Sequence, residues 1–221
     1  MVEAIIFDFD GVLLESEYEG NRELAAMLTQ FGHEHSVEDT LRLYVGLSGK
    51  DFIAAIEDRI GVALPPEFHE RIREMGARAL REGIDPVAGA VEFVRSLPAD
   101  LPRAVASSSS TRWVLGHLEH LGLADEFGDH VYSGREHVER GKPAPDLYLF
   151  AAREMGVCIE RCVIIEDSRV GATGALASGA RVIGLAAGSH CIEGHDAMLK
   201  SLGVSEIAYT FDEVRELVGL A

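Results

Sequence analysis

A short apolar run near the N-terminus, Ala4–Phe9, constrains the fold more than any other part of the sequence. A run of this length that contains Ile5 and Ile6 is typical of a strand buried in a parallel sheet. Polar residues and a glycine interrupt and end it, in the order Asp8-Phe9-Asp10-Gly11. The pattern therefore predicts a buried strand that delivers two carboxylates to one edge of a sheet.

The residue pattern changes twice beyond this run. From about Ser16 to Glu82, apolar residues recur at helical spacing, and no strand pattern of any strength appears. From Asp85 onward, helix patterns alternate with short strand patterns at residues 103–106, 131–133, 162–165 and 181–185. Because such alternation is typical of a parallel sheet covered on both faces, we expect an α/β core with an all-helical insertion after its first strand. The predicted bounds are residues 1–14 and 85–221 for the core and residues 15–84 for the insertion.

Composition and charge argue against several classes of protein. With 221 residues, of which 47% are apolar, the chain can bury a sizeable core. Its formal net charge of −17 repels nucleic acids and anionic lipids, so we expect neither as a partner. The first apolar run is too short to span a membrane and lacks the basic flank of a secretory signal. Cysteines without a CxxC pair are typical of a reducing compartment, so we expect a cytoplasmic protein. We also expect a monomer.

Polar side chains follow three of the predicted strands. Each of these residues alone is common in turns and on surfaces. Their joint occurrence at strand ends favours a functional site, because ligands bind beyond the carboxyl ends of parallel strands. A lysine in a separate loop, just before a predicted helix, completes the set. The residues are Asp8, Asp10, Ser107, Ser108, Glu166, Asp167 and Lys142.

These residue types suit the transfer of a phosphoryl group. Carboxylates that converge repel one another unless a cation lies between them, and hard oxygen ligands suit Mg²⁺. Asp8 can then attack phosphorus and form an aspartyl phosphate, while Asp10 protonates the leaving oxygen and later takes a proton from water. Lys142 and Ser107 can hold the phosphoryl oxygens. The sequence therefore predicts a magnesium-dependent hydrolase of a small phosphorylated metabolite.

Four motifs in order resemble those of the haloacid dehalogenase superfamily, and the similarity runs from Ile5 to about Leu185. They are Asp8-Phe9-Asp10-Gly11-Val12-Leu13, then Ser107, then Gly141-Lys142-Pro143-Ala144-Pro145-Asp146, and finally Ile165-Glu166-Asp167-Ser168 with Gly171 beyond. The resemblance implies a Rossmann-like core with a helical cap inserted after the first strand. It also implies that Mg²⁺ is held by the Asp8 side chain, the Asp10 backbone carbonyl and Asp167, with Glu166 in or beside that shell.

The chain looks most like the branch that contains phosphoglycolate phosphatase, β-phosphoglucomutase and small sugar-phosphate phosphatases. Dehalogenase members lack the second acid of the first motif, whereas Asp10 is present here, which argues against carbon–halogen hydrolysis. The mutase carries a histidine in its first cap helix, where this chain has Gly20, and this difference argues against a mutase. The core motifs are nevertheless shared, so a phosphomutase is the alternative to a phosphatase. A non-catalytic phosphate-binding or sensor protein is the alternative from another class, because fold alone does not guarantee chemistry.

The cap sequence offers several substrate-facing candidates. We predict that Lys50 and the loop around Gly46 face the active site, since Gly46-Leu47-Ser48-Gly49-Lys50-Asp51 resembles the substrate loop of ordinary phosphatases. Phosphonatase relatives use a cap lysine near the position of Lys50 as an imine-forming nucleophile. Other cationic candidates are better explained as solvated helix charges: Arg22, Arg73 and Arg78.

Two histidines and a cysteine follow the last predicted strand, in the segment that holds His190, Cys191 and His195. They can be ligands of a metal ion, or His190 can face the substrate. In a loop of this kind, however, such residues are more often unrelated surface side chains, and that is the expectation here.

Overall fold

A computed structural model describes residues 2–47 and 49–219. In this part of the chain, six strands form one parallel sheet in the order β3-β2-β1-β4-β5-β6. The strands are β1 (Ala4–Phe7), β2 (Arg103–Ser107), β3 (Val131–Ser133), β4 (Cys162–Glu166), β5 (Arg181–Leu185) and β6 (Glu206–Ala208). The first strand of the chain thus lies in the interior of the sheet, between β2 and β4, and the predicted α/β class is confirmed.

Helices cover both faces of this sheet and also form the insertion. Between β1 and β2 lie the helices of the insertion, α1 (Ser16–Gln30), α2 (Val37–Tyr44), α3 (Gly49–Ile60) and α4 (Pro66–Glu82), followed by α5 (Ala90–Ser96). The remaining helices are α6 (Thr111–Leu121), α7 (Ala124–Phe127), α8 (Asp146–Glu154), α9 (Arg169–Ser178), α10 (His195–Leu202) and α11 (Phe211–Val218), with a 3₁₀ turn at Ile159–Arg161. The all-helical insertion is confirmed, whereas the bounds 1–14, 15–84 and 85–221 stay predictions.

The β1 strand is apolar throughout because both of its faces are covered. Successive side chains of a strand point to opposite faces. Ile5 and Phe7 accordingly belong to the core on one side of the sheet, whereas Ala4 and Ile6 belong to the core on the other side. A continuous apolar run is what a strand buried on both faces requires.

The insertion has a small core of its own, to which Leu28, Ile56 and Phe68 contribute. Local sequence features place the ends of its helices. The Ser36 side chain accepts a hydrogen bond from the backbone of Asp39, and the Asp39 carboxylate accepts one in return, so the predicted capping box at the start of α2 is present. None of the described helices combines the length and the apolar content that a bilayer-spanning helix needs.

The sequence patterns missed the end of the fold. The elements β6, α10 and α11 follow the last predicted strand, and α7 is a four-residue helix. Strand β6 has three residues, of which two are only half-buried, at the edge of the sheet. A strand this short offers too few residues for an alternating pattern to be detected.

Gly171 in α9 allows a close contact with the end of β4, which yields a first prediction. A Cβ atom at this position would lie 1.7 Å from Oε1 of the buried Glu166. Gly171→Ala should therefore displace that carboxylate and lower the free energy of unfolding by about 1–3 kcal/mol. Urea denaturation followed by circular dichroism measures this change.

Gly76→Ala in α4 is the matched control, because no described atom outside the local helix backbone lies within 4 Å of its Cβ position. The same substitution should raise stability there by about 0.5–1 kcal/mol, since alanine is the better helix former. Equal effects at the two positions would contradict the proposed close contact.

Candidate active site

The ends of three adjacent strands meet at the middle of the sheet. Phe7 of β1 pairs with Val105 of β2 on one side and with Ile165 of β4 on the other. The residue after Phe7, Asp8, therefore lies level with Glu166, and its backbone N–H donates to the Ile165 carbonyl at 3.0 Å. This is the edge at which ligands bind in open α/β sheets, and the structure brings the predicted carboxylates together there.

Lys142 lies between two of these carboxylates. Its Nζ is 2.7 Å from Oδ1 of Asp8 and 2.6 Å from Oε1 of Glu166. The three side chains are nearly inaccessible to solvent, with exposed fractions of 2% for Lys142, 9% for Asp8 and 0% for Glu166. The phenol of Tyr148 donates a further hydrogen bond to the same Glu166 oxygen at 2.6 Å. Because buried ions are costly without partners, the lysine and the two acids depend on each other.

The electrostatics follow from this burial. Burial first, and then the neighbouring charge of Glu166, raise the pKa of Asp8 well above its ordinary value, while Lys142 opposes the rise. Burial by itself lowers the pKa of Lys142, but the charges of Asp8 and Glu166 outweigh it and raise that pKa instead. The lysine is therefore a fixed positive charge at the strand ends, where an anionic group can be held.

The two neighbouring acids Glu166 and Asp167 are placed differently. The second oxygen of Glu166, Oε2, accepts hydrogen bonds at 3.1 Å from the backbone N–H groups of Asp167 and Ser168 and from the Ser168 hydroxyl. With Lys142 and Tyr148 on its other oxygen, Glu166 is fully engaged by the protein. Asp167 differs, because its Oδ1 is buried and has no hydrogen-bond partner among the described residues. Asp167 is thus the acid with an oxygen left for a cation.

A metal ion fits this cluster. Asp8, Glu166 and Asp167 each offer an oxygen, and these oxygens lie within 4.8 Å of one another. The donors are hard, as Mg²⁺ requires, and the orphaned Oδ1 of Asp167 is the kind of buried atom that a cation satisfies. The four predicted metal ligands, Asp8, Asp10, Glu166 and Asp167, stay predictions.

Asp10 is held by side chains from three parts of the chain. Its Oδ1 accepts hydrogen bonds from Ser16 at 2.7 Å and from the indole of Trp113 at 2.9 Å. Its Oδ2 accepts from Ser109 at 2.6 Å and from Ser107 at 3.4 Å. Ser107 was predicted to hold the phosphoryl oxygens. In this structure its hydroxyl donates to Asp10 and accepts a hydrogen bond from the Ser109 backbone at 2.9 Å. These bonds orient the Asp10 carboxylate.

A cavity of about 690 Å³ lies over these strand ends, between the core and the insertion. The predicted site residues that line it are Asp8, Asp10, Gly46, Ser107, Ser108 and Lys142. Lys50 is not brought to the site, because it is exposed at the start of α3 and absent from the cavity lining. Ser48, in the middle of the predicted substrate loop, lies outside the described residues. Among the cap arginines, Arg22 forms an exposed ion pair with Glu19, as expected. Arg78 pairs with Glu23 but also lines the cavity, unlike the solvated helix charge that was predicted.

Glu17 is a cavity residue that the sequence analysis missed. Asn21, one helical turn later in α1, donates a hydrogen bond to its Oε2 at 3.2 Å. Burial of the carboxyl and the charge of Asp10 raise the pKa of Glu17 to about 8, although a hydrogen bond from the Gly46 backbone opposes the rise. In the sequence, Glu17 looks like an ordinary acid in the first turn of a helix, and no local pattern marks it as a cavity residue.

Arg135 and Trp113 also line the cavity from the core side and were missed. Arg135 lies just beyond the end of β3, and a polar residue in that position was a usable signal. The same reasoning selected Ser107 and Asp167 at the ends of other strands. Trp113 lies in the first turn of α6 and contacts Asp10, which is 103 positions earlier in the chain.

The prediction that His190, Cys191 and His195 are unrelated surface residues is wrong. His190 is only 2% exposed, and its Nε2 lies 2.7 Å from Oδ2 of Asp167. His195 donates from Nε2 to the backbone carbonyl of Asp167 at 2.8 Å. The loop packs tightly on the site because Gly11 and Gly188 have no side chains. A Cβ atom at either glycine would come within 3 Å of the His190 ring.

Comparison with known proteins agrees with this geometry. The family model described as "haloacid dehalogenase-like hydrolase" matches residues 2–179. The fructose-1-phosphate phosphatase YqaB of Escherichia coli (strain K12) is 32% identical over 79% of this chain and 92% of its own length. The 6-phosphogluconate phosphatase of the same strain is 28% identical over 86% of this chain and 85% of its own length.

A solved structure also aligns over nearly the whole chain. A HAD family hydrolase from Deinococcus radiodurans R1, with bound phosphate and sodium, has a TM-score of 0.80 and 32% identity over 99% of this chain and 95% of that chain. The family model and the phosphatase relatives support a hydrolase of phosphoric monoesters. The chain belongs to the haloacid dehalogenase-like hydrolase family.

The ion pairs of Lys142 give a second prediction. Lys142→Met leaves the buried acids Asp8 and Glu166 without their counter-charge, so the free energy of unfolding at pH 7 should fall by about 3–5 kcal/mol. Urea denaturation in the presence of a metal chelator measures this loss.

Arg140→Met removes the solvent-exposed pair of Arg140 with Asp146 and serves as the control. It should cost less than about 1 kcal/mol, because exposed pairs contribute little. A Lys142 variant as stable as this control would contradict the interdependence of the buried cluster.

Proposed function

We propose that this protein hydrolyses a small sugar or polyol phosphate through an aspartyl phosphate on Asp8, with Mg²⁺ as its cofactor. The observation that carries the proposal is the position of Asp8, on the floor of the cavity and 2.7 Å from the buried charge of Lys142. Beside the fixed positive charge of Lys142, the Asp8 carboxylate can approach a negatively charged phosphate group. The neighbouring acids alone would repel that group.

The chain's own groups account for the bond changes. An oxygen of Asp8 forms a bond to phosphorus while the bond from phosphorus to the leaving oxygen breaks. Asp10 gives its proton to that oxygen, which leaves as an alcohol. In the second half, the Asp10 carboxylate takes a proton from water, and the resulting hydroxide attacks phosphorus. The Asp8–phosphate bond breaks, inorganic phosphate leaves, and both acids return to their starting forms.

The remaining site residues orient these groups. Lys142 attracts the phosphoryl oxygens and compensates the charge that gathers on them. The hydrogen bonds from Ser16, Ser109 and Trp113 keep the Asp10 carboxyl directed into the cavity. Glu166 serves mainly to hold Lys142, because both of its oxygens are engaged by protein donors.

The carboxylates of Asp8 and Asp167 would hold the magnesium ion. Support comes from the buried Oδ1 of Asp167, which has no hydrogen-bond donor in the described parts of the chain. When bound, Mg²⁺ compensates the negative charge of the acids and of the phosphate. The similar Deinococcus radiodurans hydrolase binds phosphate together with a cation, sodium.

Two arguments support a sugar or polyol as the leaving group. The relatives reported above are phosphatases of fructose 1-phosphate and of 6-phosphogluconate. In this chain, Glu17 and Asn21 present hydrogen-bonding groups to the same cavity as Asp8. A Glu17 carboxyl with a pKa of about 8 is largely protonated at pH 7, so it can both donate to and accept from a hydroxyl group.

The residue at position 20 also supports water, rather than a second sugar, as the phosphoryl acceptor. Gly20 of α1 lines the cavity, and no described atom outside its helix backbone lies within 4 Å of its Cβ position. The histidine that mutase relatives carry in this helix thus has no counterpart at Gly20. This absence supports a phosphatase rather than a phosphomutase.

Replacement of the nucleophile tests the mechanism. Asp8→Asn should reduce phosphate release from a panel of sugar phosphates by at least about 10³-fold, because the amide cannot form the aspartyl phosphate. A phosphate-release assay measures this loss. Chelation of divalent ions should abolish the wild-type activity, and added Mg²⁺ should restore it.

Asp196→Asn, at a half-buried acid outside the cavity that pairs with Lys200, is the control and should keep full activity. An Asp8→Asn variant with full turnover would refute the mechanism. A wild-type protein that binds phosphate and Mg²⁺ but releases no phosphate from any ester would instead support the non-catalytic sensor.

Truncation of Glu17 tests the leaving-group assignment. Glu17→Ala should lower kcat/KM for the best sugar phosphate by about 10- to 100-fold, because a buried hydrogen bond to a hydroxyl is lost. The effect on p-nitrophenyl phosphate, which lacks sugar hydroxyls, should be several times smaller. Steady-state kinetics with both substrates measures the difference.

Glu17→Gln should recover most of the loss, since an amide also donates and accepts. Glu38→Ala, at an exposed acid in α2, is the control. Equal losses with both substrates would assign Glu17 to the catalytic step rather than to the leaving group.

A further inference from the structure

The loop between β5 and α10 brings two imidazoles and a thiol together beside the carboxylate cluster. His190, Cys191 and His195 each offer one donor atom, and these atoms lie within 4.8 Å of one another. The mechanism proposed above uses none of the three. Nitrogen and sulfur donors are poor ligands for Mg²⁺, but they suit Zn²⁺ and related transition metals.

His190 is nearly fully buried, and one of its ring nitrogens contacts both Cys191 and Asp167. Its Nδ1 is inaccessible to solvent and has no hydrogen-bond partner among the residues described. Its Nε2 lies 3.5 Å from Sγ of Cys191 and 2.7 Å from Oδ2 of Asp167. In a tetrahedral zinc site, a thiolate sulfur and an imidazole nitrogen lie about 3.6 Å apart, so the first distance already matches such a site.

His195 has the arrangement of a metal-binding histidine. Its Nε2 must carry the proton, because it faces the carbonyl oxygen of Asp167 at 2.8 Å and a carbonyl can only accept. The lone pair is therefore on Nδ1, and the ring also contacts the thiol of Cys191. Histidine ligands of metals commonly donate their second ring nitrogen to a backbone carbonyl in this manner.

Cys191 lies between the two rings. Its Sγ lies 3.5 Å from Nε2 of His190 and within 4.8 Å of the donor nitrogen of His195. The thiolate is the form that binds metal ions, so metal binding at this position would release the thiol proton.

We propose that His190, Cys191 and His195 bind one transition-metal ion of the Zn²⁺ class. The proposal does not depend on the proposed phosphatase reaction, since all three donors lie in the segment from His190 to His195.

Cobalt substitution tests the proposal on the full-length chain. The metal-free protein is titrated anaerobically with Co²⁺, which shows a thiolate-to-metal charge-transfer band when cysteine is a ligand. We expect this band to saturate at one equivalent of Co²⁺, to persist in excess Mg²⁺ and to disappear when Zn²⁺ is added. A wild-type protein without the band would overturn the proposal, whatever the variants do.

Variants then assign the ligands. Cys191→Ser should abolish the band and weaken binding of this ion at least about 10-fold, since even partners outside the first ligand sphere have effects of that size. Cys158→Ser, at an exposed free thiol, should leave both unchanged. His195→Ala should weaken Co²⁺ binding in the same way and covers the case in which Cys191→Ser does not fold.

Asp8→Asn separates this site from the proposed magnesium site. It should leave the cobalt band unchanged, because Asp8 is not among the donors of the loop site. Loss of the band in Asp8→Asn, or its persistence in Cys191→Ser, would place the ion elsewhere and refute the assignment.

Discussion

Lys142 lies in a nearly dry environment between the carboxylates of Asp8 and Glu166, and the rest of the site is built around this contact. Two acids at neighbouring strand ends would repel each other in the interior without a cation. The lysine offsets that repulsion through contacts of 2.7 and 2.6 Å. Tyr148 completes the arrangement with a hydrogen bond to Glu166. Because the sheet places Asp8 and Glu166 side by side, the site depends on a lysine from a distant loop.

The same constraint explains the division of roles among the acids. Glu166 is saturated by protein donors, and Gly171 leaves room for its carboxylate beneath α9. Asp167 is bordered on one side by the strand-end cluster and on the other by His190. Its Oδ2 faces the His190 ring at 2.7 Å, and its Oδ1 has no hydrogen-bond donor in the described parts of the chain. Adjacent residues thus serve opposite purposes: one fixes a buried positive charge, and the other is available to a cation.

The insertion covers this edge of the sheet and forms one side of the cavity. The core supplies Asp8, Asp10 and Lys142, whereas the insertion supplies Glu17 and other polar groups from its first helix. Burial of its carboxyl and the charge of Asp10 raise the pKa of Glu17 to about 8. In the proposed function, recognition of the leaving group therefore depends on contacts between two parts of the chain that fold around separate cores.

By itself, the sequence determined the central strand, the helical insertion, the alternating core and the motif residues at the strand ends. These features are local, because periodicity, capping and strand termination act over a few neighbouring residues. Only the tertiary structure decided which side chains meet. It placed Trp113 on Asp10 and His190 against Asp167, and it left Lys50 outside the cavity. Such contacts join residues far apart in the chain, so they follow from packing and burial, which no local pattern records.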